Sequence, residues 1–217
     1  MVLDADAREG LSPDRAWWLR VPAVVLAPRS VFFALREEDD DDVAARSEPL
    51  LLIVLMAGIA TVLATPTAAD ILDSPDYDTL LLAVWAFIAG VIYGAFGYFV
   101  IGFAVFFGVR LLGSLGSFRR ARQTVGFALV PLALSLVVLL PLRLVLYGGD
   151  TFRAGGADEG AGEDSLLALQ LAFVAWSVVL LAIGVRVTHG WSWSRSLASI
   201  VAAAALLAAI LGVFLMI

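Results

Sequence analysis

Thr79–Leu112 reads TLLLAVWAFIAGVIYGAFGYFVIGFAVFFGVRLL, and its only formally charged residue is Arg110. The run is far too long for a strand. As a helix it reaches ~51 Å at 1.5 Å per residue. A bilayer core of ~30 Å takes about 20 apolar residues. The helix must therefore tilt or project beyond the core. That single reading makes the chain a membrane protein, and the neighbouring blocks follow from it.

Hydrophobic residues make up 61% of the 217 positions, and the mean hydropathy is +0.95. The apolar residues fall in blocks at about 49–72, 79–112, 124–146, 166–187 and 196–217. The expected fold is all-α: a polytopic membrane protein with five transmembrane helices preceded by short membrane-surface helices. Residues 1–12 are polar and expected to be disordered. Residues 13–48 form interfacial helices and an acidic linker, and residues 49–217 form the five-span domain. In the first span, Pro49–Ala64 reaches only ~24 Å, so its helix is expected to continue through Pro66 with a kink. No signal-peptide core precedes it, and the first span is expected to serve as the insertion signal.

The arginines orient the bundle. The chain has no lysine, and its basic charge rests on 14 arginines. Arg8, Arg15, Arg20, Arg29, Arg36 and Arg46 precede the first span. Arg110, Arg119, Arg120 and Arg122 sit between the second and third, and Arg186 and Arg195 between the fourth and fifth. Only Arg143 and Arg153 belong to the other side. The positive-inside rule then puts the N-terminus in the cytoplasm and the C-terminus outside, in a multi-pass protein of the plasma or inner membrane. The rule counts basic residues rather than net charge, which here is −6. The acidic, lysine-free composition fits either a GC-rich genome or a high-salt habitat.

Ahead of the spans, Ser12-Pro13 marks a helix start. Trp17 and Trp18 beside Arg15 and Arg20 suit the headgroup level. A second short helix is expected from Pro28, amphipathic through Val31, Phe32 and Leu35, with Phe32 at the membrane surface. The run Glu37–Asp42 reads as a solvated linker.

Within the spans, Ala86, Gly90 and Gly94 recur every four residues, a small-xxx-small stripe. With Gly97 they are candidates for helix packing. The stripe serves either another helix of the same chain or a homo-oligomer formed through the second span. Pro131 is expected to kink the third span. Arg119, Arg120 and Arg122, in the basic loop 113–122, are candidates for anionic headgroup contacts. Trp191 and Trp193 read as interfacial anchors, and His189 beside them as a headgroup contact. The fourth span is expected to start after Asp164-Ser165.

The chemistry of enzymes is sparse. There is no cysteine and one histidine, so thiolate or multi-histidine metal sites have no ligands. No ionisable residue stands near mid-membrane, the usual mark of a proton relay or ion path. H-E-x-x-H and G-x-S-x-G are missing. The expectation is no catalysis, no cofactor and no metal, with the bilayer and a possible protein partner as the interacting components. A few arginines beside an acidic run do not make a nucleic-acid surface.

Several segments resemble the YIP family (Ypt-interacting five-span membrane proteins) in its prokaryotic branch. They are Pro28-Arg29-Ser30-Val31-Phe32-Phe33-Ala34-Leu35; Gly116-Ser117-Phe118-Arg119-Arg120-Ala121 with Gly126-Phe127-Ala128 and Pro131; and His189-Gly190-Trp191-Ser192. The likeness covers about residues 15–217 and includes five spans with a cytoplasmic N-terminus. The D-L-Y-G-P motif of the eukaryotic branch is absent, so binding of Rab-type GTPases is not carried over. The resemblance implies an integral membrane protein that organises membrane or binds partners without catalysis. The alternative is a small transporter or channel without a charged relay. A transporter calls for polar groups converging on a mid-membrane cavity. A scaffold calls for a dry core with its polar features at the cytoplasmic surface.

Overall fold

Eight helices follow from these patterns in a computed structural model that describes residues 13–37, 48–65, 79–148 and 160–214. They are α1 (Pro13–Leu26), α2 (Pro28–Glu37), α3 (Glu48–Leu63), α4 (Thr79–Leu111), α5 (Phe118–Ala128), α6 (Val130–Tyr147), α7 (Ala161–His189) and α8 (Trp193–Phe214). There is no strand among the described residues. Residues 1–12, most of the acidic run, the continuation of the first span beyond Thr65 and the side chains of Trp17 and Trp18 lie outside the description.

Four stretches are long and apolar enough to cross a membrane: Ala83–Leu111, Phe118–Tyr147, Ala161–His189 and Trp193–Val213. The fifth apolar helix, Leu50–Leu63, is shorter. The all-helical, five-span reading therefore holds. Large apolar side chains such as Phe87, Ile92, Phe96, Phe103, Val178 and Val201 point out of the bundle, as lipid contact requires.

Lipid tails give apolar helices no drive to associate, so close approach through small residues has to supply it. The chain does this at three seams. On α3, a β-carbon at Gly58 would stand 2.1 Å from the Gly90 carbonyl oxygen, and one at Gly94 would stand 2.4 Å from the Val54 oxygen. On α4, one at Gly108 would meet the Ser199 oxygen of α8 at 2.2 Å. On α7, one at Gly184 would meet Thr124 Cγ2 at 2.7 Å and Phe32 Cε1 at 2.9 Å. The Gly90–Gly94 stripe is thus filled by α3 of the same chain. Gly97, expected to share that role, has nothing within 4 Å of its would-be β-carbon.

Four boundaries differ from expectation. The third span is one apolar stretch from Phe118 to Tyr147, interrupted at a single residue two positions before Pro131. The break lies at Leu129, whose N–H is shared between Val125 O (3.0 Å) and Gly126 O (3.3 Å). Pro131 sits in the first turn of α6, where its missing N–H costs nothing. The segment expected as a basic loop is partly helical: α5 starts at Phe118, capped by the Ser117 side chain, which accepts from the Arg120 N–H. The helix of the fourth span begins at Ala161, with Glu163 and Asp164 in its first turn, where acids suit the helix dipole. Ser165 instead donates to Ala161 O at 2.6 Å. The last helix begins at Trp193, three residues early.

The largest correction concerns α2. Phe32 is not an anchor on the membrane surface but is 0% exposed. It packs edge-to-face on Phe127 at 6.5 Å and fills the space above Gly184. Val31 and Leu35 are buried with it. The apolar face of α2 is real, but it is spent on the protein, between α5 and α7.

Candidate functional site

The arginines of two separated segments converge at one end of the bundle because two helices end there in the same way. In α4, Gly113 takes φ +82. Its N–H donates to Arg110 O (3.0 Å), and Ser114 N–H donates to Val109 O (3.0 Å). In α7, Gly190 takes φ +64. Its N–H donates to Val187 O (3.3 Å), and Trp191 N–H donates to Arg186 O (3.0 Å). Both are Schellman endings, in which a left-handed residue, here glycine, closes the last carbonyls. Each turn then feeds a serine-capped helix. Ser117 accepts from Arg120 N–H at 3.3 Å, and Ser192 accepts from Arg195 N–H at 3.4 Å.

Arg195 ties the two turns together. Its Nη2 donates to Leu112 O, and its guanidinium lies 4.2 Å above the Trp191 ring. The other face of this corner is His189, whose ring lies 4.8 Å from Trp191. Its Nδ1 is 3.0 Å from both Val185 O and Thr188 Oγ1. Gly116 packs against His189 Nε2, 3.3 Å from its would-be β-carbon. From the third side comes Arg36, the last basic residue of α2, with Nη1 3.1 Å from the would-be β-carbon of Gly190. Arg36, Arg120 and Arg195 all raise the positive potential at His189.

The residues expected to contact headgroups divide. Arg119 is exposed and Arg120 half-buried beside His189. Arg122 is turned inward, 4.7 Å over Phe99, 4.8 Å over Phe118 and 5.7 Å over Tyr98. These are cation–π distances. Arg122 therefore fastens α5 to α4 rather than reaching out from the bundle. Trp193 is 43% exposed and carries Arg186 at 4.7 Å. Trp191 is half-buried between His189 and Arg195. Arg36, Arg195 and the two glycine turns are the members of this cluster that the sequence reading missed. The signal was a glycine just past each arginine-bearing helix end.

Elsewhere, a cavity among Ala60, Ser135, Leu139, Arg143 and Gln170 holds about 30 Å³, room for about one water. Ser135 at its wall donates to Leu132 O at 2.7 Å. Among the described residues, no group of three or more His, Asp or Glu stands together as metal ligands would.

A family model described as Yip1 domain matches residues 23–216. No curated protein and no solved structure matches the chain.

Proposed function

The chain belongs to the Yip1 domain family, and on that premise we propose that it is a non-enzymatic membrane-organising or partner-binding scaffold of the cell membrane. Its arginine-rich end faces the cytoplasm, with the N-terminus on that side and the C-terminus outside. The observation that carries this reading is the convergence at one end of the bundle. Two Schellman turns, two serine-capped helix starts and α2 bring Arg36 and Arg195 to the corner of Gly190 and Trp191, with the exposed Arg119 in the first turn of α5. A contact surface is built there from rigid helix ends, whereas the cavity lined by Ser135, Arg143 and Gln170 has room for about one water.

Site-specific photo-crosslinking in the native host tests the proposal. A photoreactive residue at Leu115 or Arg119 should give discrete protein adducts. The same residue at Phe96, which points out of the α4 belt, should give lipid adducts. Lipid adducts alone at all three positions would end the partner-binding reading.

A further inference from the structure

Arg36 lies against the Gly190 backbone, and Arg195 lies against the ring of the next residue, Trp191. Among the described residues no ion pair joins them to a carboxylate. Arg36 is exposed and rests on the Gly190 backbone. A side chain at that glycine would push it away. Arg195 is held by Leu112 O and the Trp191 face, so its guanidinium is fixed in place before any ligand arrives. Guanidinium groups match the oxygens of a phosphate with paired, charge-assisted hydrogen bonds. Arg36, Arg120 and Arg195 each act on His189 as a nearby positive charge.

The surroundings say where such a phosphate comes from. At the same end, Leu115 is 92% exposed and Trp193 is 43% exposed. Leu26 at the end of α1 and Phe33 in the middle of α2 also point outward. Exposed leucine, phenylalanine and tryptophan around a basic cluster suit the boundary between acyl chains and headgroups. They do not suit a water-facing dock for a soluble anion.

We propose that Arg36 and Arg195, at the corner of Gly190 and Trp191, bind the phosphate of an anionic phospholipid headgroup. The site rests on the reading of the arginine-rich end as the cytoplasmic, scaffold-bearing face, and it names one ligand of that face. Each arginine lost should weaken the headgroup about fivefold, the worth of one basic residue near a membrane surface.

The test is native mass spectrometry of the full chain in mild detergent, with phosphatidylglycerol or phosphatidylcholine added. The wild type should retain phosphatidylglycerol in preference to phosphatidylcholine. Arg36→Ala should lower that preference about fivefold, and Arg36→Ala/Arg195→Ala should lower it further. Arg143→Gln, which removes one charge near the far end of α6, should leave it unchanged. If the double variant does not fold, because Arg195 also holds Leu112, Arg36→Ala decides alone. Equal retention of both lipids, or an unchanged preference in Arg36→Ala, would overturn the proposal. So would displacement of phosphatidylglycerol by inorganic phosphate at equal concentration, which would mark a soluble-phosphate site. Loss of the lipid preference with intact crosslinks at Leu115 and Arg119 would refute the headgroup site alone. The converse would refute the scaffold alone.

Discussion

Gly94 and Gly97 are three residues apart on one helix and meet opposite surroundings. A methyl group on Gly94 has to displace the backbone of Val54, while one on Gly97 enters open space. Gly94→Ala should therefore lower the melting temperature in detergent, with a cost of ~1–3 kcal/mol for overpacking. Gly97→Ala should not lower it, because alanine is the better helix former by up to ~1 kcal/mol. Equal effects at both sites would refute the seam. Size exclusion of the Gly94 variant should show an unchanged oligomeric state, since the stripe is filled within the chain. The four-residue spacing of Ala86, Gly90 and Gly94 was legible in the sequence. The exclusion of Gly97 follows from the same geometry, since three further residues turn it ~60° away from Gly94. The partner glycine, Gly58, was not legible. It stands alone on α3, and a stripe needs repetition to be seen.

At the level of the element, α2 decides how the N-terminal segment is held. Its buried Phe32 touches α5 and α7, whereas Phe33 next to it is 50% exposed. Phe32→Ala should cost ~3–5 kcal/mol, as core phenylalanine truncations do, and release α2 from the bundle. Limited trypsin digestion in detergent reads this directly. Cleavage after Arg29 and Arg36 should be slow in the wild type, fast in Phe32→Ala, and as slow as wild type in Phe33→Ala. Fast cleavage in the wild type would show that α2 does not dock. The periodicity of Val31, Phe32 and Leu35 gave the helix and its apolar face. It could not say what that face meets, because lipid and a protein groove are equally apolar. The deciding features, Gly184 and Phe127, are far away in the chain. The break at Leu129 escaped for a related reason. A proline inside an apolar run reads the same whether it kinks one helix or opens a second.

For the whole molecule, five apolar segments carried nearly all of the architecture. Packing decided where each helix starts and that α2 docks on α5 and α7. A periplasmic-type reporter after Ile217 should be active and one inserted within residues 113–117 silent, the reverse of a cytoplasmic reporter at each point. The opposite pattern at both sites would invert every surface assignment. The seams have a consequence of another kind. A glycine codon has no smaller neighbour, and every missense single-base change enlarges the side chain. At Gly58, Gly90, Gly94, Gly108 and Gly184, where the adjoining helix already occupies the space of a β-carbon, nearly every random point mutation is a clash. At Gly97 and Gly212, where nothing lies within 4 Å, it is not. In a saturation scan selected on abundance in the membrane, the first five codons should be almost bare of variants. The other two should be well populated, so a map of tolerated genetic change would trace the helix contacts without a structure.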